Sequence, residues 1–499
     1  MNRTTNAVIP APVDLEHLEG TGLELKDHLP VTINHPAAHL AAEYFAEQLT
    51  VTTGYAAKIS ETSGEAAASA SGVVLKLLGD DYAPNADGLP GIAAESYQLT
   101  VENGQATISA DAPAGLQHGV TTLVHLISKT EDAFHVPAVK IEDSPRYSWR
   151  GLSVDISRSF IPLDELKEIV DVLADLKYNV LHLHLCDDQG WRLEIKAHPE
   201  LTATSGKTAV DGGRSGFLTQ AEYSELVQYA ADRSILTVPE IDVPGHTHAL
   251  LHALPIADVG RTAPEEYTGI EVGFSELRLD DPTAVSVLTD ILIEVAELTP
   301  GPWIHIGGDE PLVIPPERYS DSVAVAERLV QEQGKKVIGW NESVRGVQDN
   351  NTLIQHWDPR TELPSLVAAA RRGHRVIMSP ATHVYLDMKY TKDHPFGQEW
   401  VGYVEVKDSY EWEPTDNVPN LPAEQIVGVE AAIWTEKIPS REATLSMLLP
   451  RLAPIAEVAW SPQAERDLDA IAPRLAAQAR RWEGRNWPYH PSPQVDWDA

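Results

Sequence analysis

The chain has a single cysteine in 499 residues, Cys186, so it can form no internal disulfide and no cysteine-based zinc cage. That usage fits a reducing compartment. Basic residues are few: 38 Lys and Arg stand against 74 Asp and Glu, a formal net charge of -36. Nucleic acid and anionic membranes need a basic surface, so neither is an expected partner, whereas a neutral small molecule is indifferent to the charge. No window holds enough apolar sequence to span a bilayer. Residues 1–13 lack both the apolar core and the small-residue cleavage site of a secretory signal, so the expected location is the cytoplasm. Phenylalanine, the simpler core filler, is outnumbered by tryptophan, 6 to 12. Indole adds a donor to its broad apolar face, which suits a pocket wall as well as a core.

What is present divides the chain in two. Up to about residue 144, short strand-like runs at 73–78, 97–101 and 106–109 alternate with helical patterns at 36–50 and 115–128, which predicts a small α+β domain. The Ser, Ala, Glu and Gly-rich stretch 60–72 reads as a mobile loop. Asp143-Ser144-Pro145 marks a boundary, and the second domain, 145–499, includes a helix at its C-terminal end. From Trp149 the rhythm becomes strand, helix, strand, helix, with nearly all-apolar strands at 150–157, 180–188, 235–242, 303–309, 336–341, 352–357, 375–379 and 426–434. The helix after the first strand carries Leu163, Leu166, Ile169, Val170, Leu173 and Leu176 on one stripe. Thr219-Gln220-Ala221-Glu222 opens another with a capping-box pattern. Eight such units, with no G-x-G-x-x-G after the first strand, predict a (β/α)8 TIM barrel of α/β class rather than an open doubly wound sheet.

In such a barrel chemistry belongs at the carboxyl ends of the strands. Polar and aromatic residues gather there: Asp187-Asp188-Gln189-Gly190-Trp191, Glu240-Ile241-Asp242 leading to His246, Trp340-Asn341-Glu342, His356-Trp357-Asp358 and Trp434-Thr435-Glu436. The fourth strand ends His305-Ile306-Gly307-Gly308-Asp309-Glu310, where two glycines remove bulk before two adjacent carboxylates. Repulsion between neighbouring acids should keep one protonated to higher pH, as a general acid requires. The alternative is a helix N-terminus, where acids are common for dipole reasons. His182 and His184 lie on one face of a strand and could hold a divalent metal. Without His or Lys at the end of strand five, a hydrogen-bonded pair in the barrel interior is the favoured reading.

These motifs, in this order, resemble the family 20 glycoside hydrolases, the β-N-acetylhexosaminidases, and in particular the bacterial ones. The resemblance rests on Trp149-Arg150-Gly151-Leu152, the segment from His182 to Trp191, Pro239 to His246, His305 to Glu310, Tyr385-Leu386-Asp387 and Trp434-Thr435-Glu436. It implies a retaining exo-enzyme that releases terminal GlcNAc, with GalNAc as an open alternative, from β-linked oligosaccharides or glycoconjugates such as chitin fragments. The family is an exception to the scheme of two opposed carboxylates. The substrate's own 2-acetamido oxygen attacks C1 to give an oxazolinium ion.

By the same resemblance Glu310 is the general acid and base, Asp309 receives the acetamido N–H, and Tyr385 orients the acetamido oxygen. Asp187 and His246 support Glu310. Arg150, Asp387 and Glu436 bind sugar hydroxyls, and Trp340, Trp357, Trp400 and Trp434 form the walls. No metal or organic cofactor is implied. One departure from the family pattern follows the acid: Pro311-Leu312-Val313 replaces an expected small-residue and histidine sequence, on the leaving-group side. Two other readings of the chain are a metal-dependent barrel hydrolase using His182 and His184, and a non-catalytic sugar-binding relative. The intact Asp309-Glu310 pair speaks against the second.

Overall fold

A computed structural model of the chain describes residues 7–62, 72–79, 88–130, 133–255 and 264–498. All eight expected barrel strands form and close on each other in chain order. They are Trp149–Asp155, Val180–His184, Leu236–Glu240, Trp303–His305, Lys336–Trp340, Leu353–His356, Val376–Met378 and Ile426–Ile433, all parallel. All end somewhat earlier than the sequence suggests, two of them by four residues. The fourth stops at His305 because Gly307 and Gly308 take φ of +64° and +96°, outside the β region. The second stops at His184, and Cys186–Asp187 pairs back on Gly190–Trp191 as a small hairpin instead.

The helices cover the barrel through apolar stripes. Leu163–Asp175 buries Leu166, Ile169, Val170 and Leu173, and Gln220–Ala231 starts with the expected capping box between Thr219 and Glu222. Inside the barrel the side chains are layered. At the amino end Trp149, Val180, Val238, Trp303, Ile338, Leu353, Ile377 and Val427 form an apolar plug. Above it lies a buried polar layer, and above that the carboxyl-end loops.

The first domain is a seven-stranded sheet. Asp14–His17, Val139–Asp143, Tyr97–Glu102 and Gln105–Ala110 run antiparallel in that order, and Gly72–Leu77, Leu29–Ile33 and Ala57–Glu61 continue it in parallel. Four of these strands were not anticipated. Leu29–Ile33 contains Pro30, which argues against a central strand, and Asp14–His17 is short and largely exposed. Of the expected mobile loop, Ser60 and Glu61 belong to a strand, Gly72 begins another, and 63–71 lie outside the described residues. Helix Pro113–His125, buried on nearly every residue, is held between this sheet and the barrel. Among the described residues no helix is long and apolar enough to cross a membrane.

Candidate active site

The fourth strand delivers the two acids through a turn fixed by its own backbone. The Gly307 N–H donates to His305 Nδ1 at 2.9 Å, the Gly308 N–H to Asp242 Oδ1 at 2.9 Å, and the Tyr319 hydroxyl to the Gly308 carbonyl. A Cβ on Gly307 would fall 1.8 Å from Asp242 Oδ1, so only glycine fits. Glu310 itself sits at φ +46° and His246 at φ +53°, strained conformations of the kind held at functional sites. No helix begins at the acids; the next starts at Pro316, so the dipole reading does not apply.

His246 binds the pair together. Its Nε2 lies 3.6 Å from both Asp309 Oδ2 and Glu310 Oε2, and its Nδ1 lies 3.2 Å from Asp187 Oδ1. Asp187 is also held by Arg158, at 2.7 Å, and by His184, at 2.8 Å. Burial alone would raise the pKa of Asp187, but Arg158 and His246 outweigh it and hold the carboxyl well below its usual range. Burial likewise disfavours a charged His246, yet Asp187 and Asp309 push its pKa well above that of free imidazole. Glu310 is raised by burial against the pull of His246 and Arg158. Asp309 is raised as well, by burial and then by Asp242.

These acids open on a pocket of about 340 Å³ lined by Arg158, Trp357, Tyr385, Asp387, Trp400, Trp434 and Glu436 among others. Tyr385 stacks on Trp357 at 6.2 Å and 10°, and Trp400 stands edge-on to both. Trp357 is fixed by an indole N–H bond to Glu342, whose pKa burial and the charge of Asp309 raise to about 8. The long connection after strand seven brings Tyr385, Asp387 and Trp400. Arg451 clamps that connection through the carbonyls of Leu386, Met388 and Val404 at 2.7–2.8 Å. Several buried polar atoms around the pocket find no partner among the described residues: Arg158 Nε and Nη1, Asp309 Oδ1, Asp387 Oδ1 and Glu436 Oε2. Buried polar groups without a hydrogen bond are uncommon in folded proteins, and these cluster around one pocket.

Two expected contacts are corrected. Arg150 is not in the pocket. It lies at the amino end of strand one, where its fork grips Glu95 of the first domain at 2.6 and 3.1 Å. Strand polarity places Arg158 in the site instead. Asp155 Oδ1 accepts from the Ser157 and Arg158 N–H groups and shapes the turn that carries it. The signal was available, because Arg158 follows the carboxyl end of that strand and Arg150 its start. Trp340 is buried one layer below the pocket, donating to Glu240 at 2.9 Å and backing Trp434 at 5.9 Å. Arg360, Gln398, Ile270 and Val272, which also line the pocket, were missed because they sit on irregular loops.

His182 and His184 belong to the polar layer beneath. His182 lies 2.8 Å from Glu430 and 3.2 Å from Glu240; His184 bridges Glu240 and Asp187. Their nitrogens face carboxylates below the pocket, which fits the hydrogen-bonded interior reading.

The two arginines should behave differently. Arg150→Ala leaves Glu95 buried without its main partner and should cost about 3–5 kcal/mol in denaturant unfolding with KM unchanged. Arg158→Ala should lower kcat/KM roughly a hundredfold and also destabilise, since it leaves buried Asp187 without its main cation, so the effect on kcat/KM is what separates the two variants. Equal effects on KM would contradict the placement.

Acids beside aromatic planes, with unpaired donors and acceptors around one small pocket, are what a glycoside hydrolase presents to a sugar ring. The comparisons with known proteins agree. Residues 147–325 and 317–463 match the family model described as glycosyl hydrolase family 20, catalytic domain, and residues 5–144 match glycosyl hydrolase family 20, domain 2. The chain belongs to glycosyl hydrolase family 20. It is 41% identical over 493 residues to a β-N-acetylhexosaminidase of Cellulomonas fimi, covering 98% of this chain and 97% of the relative. It superposes on the Streptomyces plicatus N-acetyl-β-hexosaminidase in complex with Thio-NAglucal with a TM-score of 0.91 and 39% identity, covering 99% and 98% of the two chains. A mutant of the same S. plicatus enzyme in complex with the product GlcNAc gives 0.90 and 38%, at the same coverage.

Proposed function

We infer that this chain is a retaining exo-β-N-acetylhexosaminidase that removes a terminal, non-reducing GlcNAc by substrate-assisted catalysis. The observation that carries this reading is the grouping of Asp309 and Glu310 around a single imidazole nitrogen, each 3.6 Å from His246 Nε2. Carboxylates on one side of a sugar cannot serve as acid and opposed nucleophile. A carboxylate that faces the acetamido N–H can instead stabilise the charge developing there as the neighbouring carbonyl oxygen closes on C1.

In this scheme Glu310 protonates the departing oxygen and then activates water. Asp309 takes the acetamido N–H. The Tyr385 hydroxyl holds the acetamido oxygen in line, an orientation effect. Asp187 and His246 hold Glu310 in place. Arg158, Asp387 and Glu436 meet the sugar hydroxyls with their open atoms, and Trp357, Trp400 and Trp434 wall the ring and acetamido group. Closure of the pocket around one residue accounts for exo action.

The direct test is a substrate with the acetamido group replaced by hydroxyl. It should react at least about a thousandfold more slowly, because an effective internal nucleophile is lost, and a thiazoline mimic of the cyclised sugar should bind tightly. Comparable rates for the two substrates, or a hexose trapped covalently on a side chain, would refute the mechanism. The pH profile offers a second check. Glu310 must be protonated to act, and its pKa is raised, so kcat/KM should hold to higher pH than an ordinary glutamate allows. His246 lowers that pKa, so His246→Gln should move the alkaline limb upward while reducing the maximum. A downward move would show that the charge of His246 does not act on the acid.

A further inference from the structure

We propose that the leaving-group side of this pocket carries an apolar edge that selects aglycones presenting an apolar face. The inference rests on the hydrolase reading above, which fixes what lies next to Glu310: its acid proton goes to the leaving oxygen, so the surface on its open side meets the aglycone. Glu310 is the more exposed of the two acids, 29% against 13% for Asp309.

The residues on that open side come from two segments. Ile270 and Val272 line the same pocket as Glu310. Leu312 and Val313, two and three residues after the acid, stand 73% and 56% exposed. The two segments are packed on each other. The Leu312 side chain rests over Gly273, where an added Cβ would come within 2.6 Å of it and 2.9 Å of the Glu310 carbonyl, and Gly273 holds φ +74°. The contact therefore needs glycine, and it seats the Ile270–Val272 edge against the turn that carries the acid.

Arg360, on the wall with Trp400, directs Nε and Nη2 to Asp358 at 2.8 and 3.2 Å. This leucine and valine, just past Pro311, are open to water in the free protein, so covering them favours an aglycone with an aromatic or aliphatic face.

The test uses two β-N-acetylglucosaminides whose leaving alcohols are of similar acidity, 2-phenylethanol and 2-methoxyethanol. On the unaltered chain kcat/KM should favour the phenylethyl substrate by about tenfold, from burial of one ring face. Ile270→Ser and Leu312→Ser, both at exposed positions, should each bring that ratio toward one, while the inhibition constant of free GlcNAc stays put for Leu312→Ser, which stands outside the pocket lining. A ratio near one on the unaltered chain, or a ratio that both variants leave intact, would overturn the proposal while leaving the hexosaminidase reading in place. Failure to cleave either glycoside would overturn both.

Discussion

Glu310→Gln is expected to lower kcat by about a thousandfold for substrates with alkyl or glycosyl leaving groups, the range over which a positioned general acid contributes. With an aryl leaving group that departs without help, the first step should lose far less, because protonation is no longer needed there. The second step, in which the same residue activates water, stays impaired, so added azide should restore part of the rate by replacing that water. The unaltered side chain has a raised pKa because burial lifts it more than His246 and Arg158 pull it down. The substituted amide keeps the shape and the hydrogen-bonding reach but cannot give a proton. Loss of equal size for both kinds of leaving group, with no azide effect, would take the acid role away from this residue.

Asp309→Asn should lower kcat by about a hundred- to a thousandfold with KM changed only a few-fold, the pattern of an interaction made chiefly in the transition state. The acetamido nitrogen gains positive charge as its carbonyl oxygen attacks. A carboxylate stabilises that charge and an amide does not. Burial and Asp242 raise the pKa of Asp309 well above its ordinary value against the pull of His246, and the positive charge developing on the acetamido group favours its charged form further. Its Oδ1, buried with no partner among the described residues, is the atom placed to receive it. Because the pocket walls and the hydroxyl-binding groups are untouched, free GlcNAc should still bind Asp309→Asn. Near-normal turnover would mean that this carboxylate is a bystander.

Much of the barrel was readable because buried parallel strands are apolar on both faces, which leaves long uninterrupted runs. All eight were placed, and most of their ends were within a few residues. The first domain was harder: Leu29–Ile33 and Asp14–His17 gain their order from pairing with distant strands, not from a pattern of their own. In the site, Asp309, Glu310, His246, Asp187, Tyr385, Asp387, Trp357, Trp400, Trp434 and Glu436 come together as anticipated in one region. Arg150 failed because two arginines flank one strand and a strand's two ends lie on opposite sides of the barrel. Trp340 failed by one layer. A side chain at a strand end can point up into the pocket or inward beneath it, and here Glu240 draws its indole N–H inward.

The strand–helix alternation, the glycine pair and the two adjacent acids could be read along the chain, since they depend on local residue type: apolar runs, positive φ, and charge repulsion between neighbours. Which of two arginines faces the sugar, that one histidine is shared by both acids, and which loops wall the pocket emerged only on folding. Those relations join residues far apart in the chain, from Arg158 to Glu436, and are set by strand polarity, layer and loop packing, for which a linear sequence carries no local signal.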